Sequence, residues 1–574
     1  MTARSPDWLT ARRTLLALLV VSLLGTAARL VALGARVFYY DEAWFGYWTL
    51  RFMETGVWEY RPILHGPFFV RVNPIVFETL GATDAAGRLV VAVIGGLLPL
   101  AAWLYRDHLD RGEVLATGVA LALNPILLYY SRFMRKDLPL AAFAIVALGL
   151  FLRAHATGRD RYLYAGAISL GLAFTTKESV LLWMVTWLGA GALVLDRHLL
   201  RARDTRDGSL ATLGEFLDRS VRGLRDRGRS LGIAGLLWFV VVVFFYAPRA
   251  GPGQPVGIWR ALAGEFGTLP DVVATATLGS LRAALDYWAH GTIQQHAYLP
   301  YLVDTLSTMW AGALGVSLLA TVGFLVDRYG GAAPRGVVAF NFFSGVAAVL
   351  GYPLANNLPV PWSTVHAVVP LTIPAGVGAL ALLRWGRAGV SGSVFAAPLD
   401  DPRATIRTTA VVVLIGGLVV SAGATALETS YRAPHESPRG DGGSEIVYYA
   451  QAPASLDRVV GAVNEASASG GTDTDVLYVG PSLAMDESAV AYPPATGAWH
   501  ARMPLPWYTE AAGADVASVP EPASVGPTPP PVVVTTPALR AETASRLGAT
   551  YESRTYARDD VGDRIVVVFT RGDG

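Results

Sequence analysis

Two carboxylates stand side by side early in the chain, Asp41 and Glu42 in YYDEAWFGYW, within a run crowded with aromatic residues. Adjacent carboxylates repel, and burial raises the pKa of at least one of them. A cation, an arginine or a substrate hydroxyl relieves that repulsion. A carboxylate so placed can act as general base toward a hydroxyl or amide nucleophile. A divalent metal bridging Asp41 and Glu42 is compatible with the pair but not required. The same pair would also suit a plain solvated loop. Further on, RPILHGPFFVR presents His65, a side chain able to orient a phosphate or a sugar hydroxyl. The stretch YYSRFMRKDLPL then gathers Arg132, Arg135, Lys136 and Asp137. Arg132 and Lys136 are spaced to share a helix face. Asp137 opens an apolar run, where a helix N-terminus would favour anions.

The lysines sharpen this pattern. Of 46 basic residues 44 are Arg, and the two Lys are Lys136 and Lys177, the latter in AFTTKESVLL. Both flank apolar runs, beside Asp137 and Glu178. A compact ammonium binds phosphate as a point charge, where a guanidinium is a planar fork. These two lysines therefore point to a site for a lipid-linked phosphate or pyrophosphate, although paired interfacial anchors would look the same. His366, in NNLPVPWSTVHAVVP, lies just inside a later apolar run; an intramembrane histidine is a functional candidate, and equally a hydrogen-bonded packing residue. His290 and His296 are six residues apart, a poor metal spacing, so no zinc site is assigned.

The elements that must position these groups are read from hydropathy. Of 574 residues 52% are hydrophobic and 16% charged, against about 25% charged in a soluble domain. There are no cysteines, which excludes a disulfide scaffold and thiolate zinc. Eleven runs approach the roughly 20 apolar residues that cross a bilayer: 14–33, 88–105, 113–130, 138–153, 162–175, 178–195, 231–247, 306–326, 335–352, 364–384 and 405–425. With ten further runs behind it, the first reads as an anchor and not as a cleaved leader. The expected fold is a polytopic α-helical membrane protein of about 11 transmembrane helices over residues 1–425. A linker at 426–444 and a small α/β domain at 445–574 follow.

Residues 1–425 carry 36 Lys+Arg against 26 Asp+Glu, net +10, and residues 426–574 carry 10 against 19, net −9. Loop 196–230 alone holds nine Arg. Positive residues favour the cytoplasmic side, so the N-terminus is expected inside. The long loops 34–87 and 248–305 and the tail domain are then extracytoplasmic. The stretch 34–70 is expected to hold one or two short helices in the membrane interface. In the tail, helices are expected at 454–467 and 538–548 and strands at 474–479, 531–536 and 563–570.

On these motifs and their order the sequence resembles the GT-C superfamily of membrane glycosyltransferases, which includes protein O-mannosyltransferases and the bacterial aminoarabinose transferase. The motifs are an Asp-Glu pair after the first span (Asp41, Glu42) and an HPPL-like element (His65-Gly66-Pro67-Phe68). An R-x4-D element (Arg132 to Asp137) and a TK lysine (Lys177) follow. Within the superfamily, DEAWFGYW, HGPF, SRFMRKD and TKES look most like an archaeal protein-glycosylation family associated with flipping of dolichyl-phosphate sugar. The resemblance implies a GT-C-like fold and a catalytic pair, Asp41 as base with Glu42 as neighbour. It implies a donor-phosphate face of Arg132, Arg135, Lys136, Asp137 and Lys177, with His65 supporting and His366 in place of a late arginine. The implied partners are a polyprenyl- or dolichyl-phosphate sugar, a glycan or protein acceptor and membrane lipid, with no nucleic acid and no required cofactor. The implied reaction is an inverting glycosyl transfer at the outer face. The alternative is a flippase or flippase-associated factor without transfer chemistry.

Overall fold

The computed structural model describes residues 10–202, 208–250, 257–290, 296–330, 333–356, 358–387, 402–438, 443–448, 450–469, 473–489, 496–559 and 565–572. His290 lies among these only by its backbone.

The first helix, α1 (Ala11–Leu30), starts where the Thr10 hydroxyl accepts the Arg13 N–H, one of the orphan donors of a helix start. Two shorter helices follow, α2 (Tyr40–Thr55) and α3 (Phe68–Leu80), so the aromatic stretch is helical as expected. Helix α4 (Asp84–Leu97), capped by Thr83, tightens into a 3-10 continuation to Tyr105. Helix α5 (Arg111–Leu123) opens with a reciprocal capping box between Asp110 and Glu113. It breaks at Asn124–Pro125, and α6 (Pro125–Tyr130) carries the chain onward. Proline removes a helical donor and clashes with the preceding turn, so the single span expected over 113–130 is two pieces.

The bundle continues with α7 (Asp137–Thr157), α8 (Asp160–Thr176), α9 (Val180–Ala202), α10 (Gly208–Asp226) and α11 (Gly228–Tyr246). Helix α10 lies in the Arg-rich loop and leaves Leu210, Leu217 and Leu224 exposed. Next come the short α12 (Ile258–Ala263) and α13 (Leu269–Ala274), the latter passing through a π-helical turn into α14 (Ser280–His290). The last long helices are α15 (Tyr298–Tyr329), α16 (Gly336–Ala355), α17 (Val365–Arg387) and α18 (Pro402–Leu427). Among the described residues nine helices are long and apolar enough to cross a membrane. The expected eleven differ by the broken α5–α6 and by α8, which is helical over only 17 residues.

Helix α17 is the hub. A Cβ on Gly378 would overlap the Leu319 carbonyl of α15, and one on Gly376 would meet Thr117 of α5. Glycine there lets backbones approach where apolar lipid gives no hydrophobic drive. Hydrogen bonds sort the loops into two ends. At one end Arg335 binds Glu113 and Asp327, Arg384 binds Asp110 and Arg227 reaches the Ala154 carbonyl. At the other end meet the turns around residues 31–83, 131–136, 177–179 and 356–364, and there the tail domain sits. We call this the capped end.

Helix α18 continues as a π-helical turn, Glu428–Arg432, into the stretch expected to be linker. The chain then crosses the bundle, with Tyr129 and Tyr130 donating to the carbonyls of Pro434 and Ile446 at 2.8 and 2.5 Å. The tail comprises α19 (Asp457–Ser469), β1 (Val476–Val479), α20 (Gly497–Arg502), α21 (Leu505–Ala512), β2 (Val516–Val519), β3 (Val532–Thr535), α22 (Arg540–Leu547), β4 (Tyr551–Ala557) and β5 (Ile565–Arg571). The sheet order is β2-β1-β3-β5-β4. Strands β2, β1 and β3 are parallel, and β5 runs antiparallel to β3 and β4. The apolar β1 and β3, buried on both faces, were legible as strands. The edge strands β2 and β4 and the helices α20 and α21 were not expected.

Candidate functional site

The neighbours Asp41 and Glu42 open helix α2 and part company at once. Glu42 is fully buried. Both its oxygens take Arg88 of α4, at 2.8 and 2.7 Å, and Oε1 also accepts the Met134 N–H at 2.8 Å. Arg88 further donates to the carbonyls of Leu33 and Arg36. This bidentate pair locks α2, α4 and the turn before α7 together. Asp41 keeps about a third of its side chain exposed (35%). Its Oδ2 accepts from Arg135 Nη1 at 2.6 Å and from the Tyr39 hydroxyl at 3.2 Å. Glu42 is thus an anchor and not a catalytic neighbour, and of the two only Asp41 remains to serve as base. The pair does not fit a shared metal either, because a guanidinium already fills the place where a cation would sit. Among the described residues no cluster of three or more His, Asp or Glu could hold a metal ion.

From Asp41 the charges run inward in a line. The Arg135 guanidinium carbon sits over Trp362, 3.3 Å from the ring centre, and Arg135 also donates to the Tyr39 hydroxyl. Its Nε lies 3.5 Å from Asp137 Oδ2. Asp137, at the first position of α7, accepts from Lys177 Nζ at 2.9 Å and from His366 Nε2 at 3.2 Å on its other oxygen. The Trp183 indole donates to His366 Nδ1 at 2.9 Å. An indole N–H can only donate, so Nδ1 carries the lone pair and Nε2 the proton that goes to Asp137. His366 therefore positions Asp137 and is not itself a phosphate-facing cation. Its ring stacks on Tyr352 at 4.6 Å, which fixes it further.

A second group packs beside this line. His65 Nδ1 lies 2.9 Å from Glu178 Oε2, and the Tyr60 hydroxyl donates to Oε1 at 2.5 Å. Burial lowers the His65 pKa, and the neighbouring Glu178 opposes that shift. His65 has φ +56°, in the left-handed region, and Gly66 follows it. A Cβ on Gly66 would overlap the backbone of Thr175 and Thr176 at the end of α8. Glycine in place of the first proline of an HPPL element is thus what lets this turn touch the start of the Lys177 segment. Lys136 Nζ binds the Leu64 carbonyl and sits 3.9 Å above Phe45. Burial pulls its pKa down to about 7, opposed by Glu178 and aided by Lys177 and Arg135. Next to Glu178 is an apolar cavity of about 280 Å³ lined by Phe174, Leu181, Trp238, Phe239 and Tyr246.

Arg132 departs from the expected role. Residues 131–136 form a turn and not a helix, so Arg132 and Lys136 share no face. Arg132 Nη1 donates to the carbonyls of Ala28, Arg29 and Val31, and Nη2 to that of Ala32. It caps the C-terminus of α1 and lines a different cavity. The structure brings together Asp41, Arg135, Asp137, Lys177 and His366, with Lys136 and His65 alongside, and excludes Arg132. Sequence spacing gave no signal for Arg88, Tyr60 or Trp183. Glu178 had one, its adjacency to Lys177.

Residues 64–213 match the family model of dolichyl-phosphate-mannose-protein mannosyltransferases. Residues 456–571 match that of the Agl23 flippase-associated protein C-terminal domain. No curated protein sequence matches the chain. Among solved structures the chain is similar to ArnT from Cupriavidus metallidurans in its apo state, with TM-score 0.54 and 17% identity over 96% of this chain and 97% of that one. It is likewise similar to the same protein bound to undecaprenyl phosphate, with TM-score 0.53 and 16% identity over 98% of each chain. The fold is thus the GT-C membrane fold seen in ArnT, as the motifs suggested.

Proposed function

We propose that the protein transfers a sugar from a polyprenyl-phosphate donor to an acceptor at the capped end of the bundle, which we take as the extracytoplasmic face. The observation that carries this reading is the line Asp41–Arg135–Asp137–Lys177, with a solvent-reaching carboxylate at one end and an ammonium at the other. The mannosyltransferase match over residues 64–213 supports it, since that range holds His65, the Arg135–Asp137 turn and Lys177.

In this reading the acceptor hydroxyl attacks the anomeric carbon from the side opposite the phosphate. The bond from that carbon to the phosphate oxygen breaks, the phosphate keeps the electron pair, and the configuration inverts. The acceptor proton passes to Asp41, held in place through Oδ2 by Arg135 and Tyr39. Charge developing on the leaving phosphate is met by Lys177 and Lys136. Lys177 can turn from Asp137 to the phosphate because Arg135 and the His366 N–H still hold that carboxylate. The apolar cavity beside Glu178 would receive the start of the polyprenyl chain. The tail domain would border the acceptor, a glycan or a protein. A dolichyl donor and an N-terminus in the cytoplasm belong to the same proposal.

The match of the tail to a flippase-associated domain favours a second reading, in which the lipid phosphate is guided across the membrane without transfer. One reconstitution separates the two. Liposomes holding the purified protein receive labelled polyprenyl-phosphate sugar and a glycan acceptor. Wild type is expected to form product, and Asp41→Asn to lose about 10²–10⁴-fold in kcat, the usual weight of a general base. Translocation of the donor in both proteins with product in neither would replace this reading by the second.

A further inference from the structure

Arg132 is drawn out of the donor line into another cavity, of about 220 Å³, at the junction of bundle and tail domain. Three parts of the chain meet there: the turn after α1 with Arg36, the turn before α7 with Arg132, and the segment from Ser430 to Asp457 with Arg432 and His435. Three arginines thus face one carboxylate, Asp457.

The arginines are satisfied by neutral groups alone or nearly so. Arg36 donates to the Arg132 carbonyl at 2.8 Å and approaches the Gln451 side chain at 3.5 Å, with Phe133 beneath it at 3.9 Å. Arg132 spends its terminal nitrogens on the carbonyls that end α1 and stacks on Tyr431 at 4.5 Å. Arg432 has only a long contact to Glu428, 3.7 Å. Among the described residues no carboxylate pairs with Arg36 or Arg132. Two buried polar atoms on the wall have no hydrogen-bond partner, Arg132 Nε and Ser430 Oγ; the residues are 3% and 2% exposed. Arg132 is buried and Arg36 half-buried, neither with a carboxylate partner among the described residues; such charges are costly, and hydrogen bonds to carbonyls only partly offset that cost. Burial, with Arg88 and Arg132 nearby, draws Arg36 down to about 10.

We propose that this cavity is an anion site that takes a phosphate group, supplied by an anionic phospholipid headgroup or by free phosphate, and that it is separate from the Asp41–Lys177 line. Guanidinium forks match phosphate oxygens in geometry as well as charge. The ends of α1 and α18 adjoin the cavity, and both helices leave apolar side chains exposed, among them Leu23, Leu24 and Val420. A lipid could therefore lay its chains along them with its phosphate in the cavity. The bound anion would tie the tail to the bundle through residues of both.

The test uses the full chain in phosphatidylcholine nanodiscs, with phosphatidylglycerol or inorganic phosphate as probe and native mass spectrometry as readout. Wild type is expected to bind one probe saturably. Arg36→Gln/Arg432→Gln is expected to weaken binding at least about tenfold, while Arg36→Lys, which keeps the charge but loses the planar fork, weakens it less than the double variant does. The Arg432 side chain is exposed, so Arg432→Glu alone gives a weakened variant with least risk to folding. Lys177→Gln is expected to keep binding, because it changes only the other site. Phosphatidylglycerol binding that free phosphate does not displace identifies the headgroup as source; displacement identifies free phosphate; either supports the site. Equal affinity in wild type and Arg432→Glu, no saturable binding of either probe, or loss of binding in Lys177→Gln overturns it.

Discussion

Asp41 and Glu42 are identical in chemistry and adjacent in sequence, yet 35% of one side chain is exposed and the other has no exposure at all. Successive residues of a helix point about 100° apart, so only one of the two can face α4. Glu42→Gln leaves Arg88 buried without its counter-charge and is expected to destabilise the fold by about 3–5 kcal/mol. Thermal unfolding in detergent checks this, against Asp41→Asn as a variant whose midpoint should stay near wild type. Lys136 offers a pH test. Its ammonium titrates at about 7 in the folded chain and near 10.4 when unfolded. Between those values the unfolded chain binds more protons, so stability rises with pH across that window. Lys136→Met is expected to flatten the rise between about pH 7 and 10 and to raise the midpoint at neutral pH. Above that range tyrosines such as Tyr39, pushed up by burial, act in the opposite sense and lower stability. The sequence pointed to Asp41, Lys136 and Lys177 because their types are rare in such surroundings. It could not assign Glu42 to Arg88, which lies 46 residues away in another helix.

At the scale of elements, hydropathy located each of the nine described helices that are long and apolar enough to cross a membrane, because a span needs only an apolar run and the composition displays it; the polar 19-residue α10, inside the stretch expected to be a loop, gave no such signal. What hydropathy cannot register is where a run breaks or a turn intervenes. The chain between α6 and α7 shows this. Ser131 to Lys136 could have continued a helix by composition, and Arg132 and Lys136 would then have pointed the same way. Instead the turn sends Arg132 to the end of α1, Arg135 to Asp41 and Lys136 to Leu64, three destinations from one hexapeptide. Short turns follow from tertiary partners more than from local preference. The same holds in the tail for β4, whose YESRTYA reads as polar; it is an edge strand whose one neighbour is β5, and edge strands need little apolar surface. Strands β1 and β3 lie inside the sheet and advertise themselves as Val-rich runs.

For the molecule as a whole, the bundle and the tail are one hydrophobic unit at the capped end. Trp507 and Tyr508, on a helix the sequence did not announce, leave the tail and enter the bundle's first loop. Trp507 stacks on Phe38 at 5.1 Å, and its indole donates to Asp84 at 2.9 Å. Tyr508 donates to the other oxygen of Asp84 at 2.8 Å and accepts the Phe38 N–H at 2.6 Å. Asp84 begins α4, which also carries Arg88, and Gly46 of α2 has no Cβ because Trp507 occupies that space. A second layer joins Trp44, Tyr47 and Trp48 of α2 to Trp499 and His500. Helix α2, which begins with Asp41, is therefore held between two domains and depends on both. Trp507→Ala removes a buried aromatic at a cost of about 3–5 kcal/mol and strips one face of that helix. Hydrogen–deuterium exchange is expected to quicken along Tyr40–Thr55, while α15 and α17, packed on each other through Gly323 and Gly378, keep their protection around those glycines. Exchange that rises equally in all three helices would mean the tail supports the whole bundle; no change in α2 would mean the bundle alone orders the Asp41 loop, and the tail would then be an appended domain without a share in positioning the base.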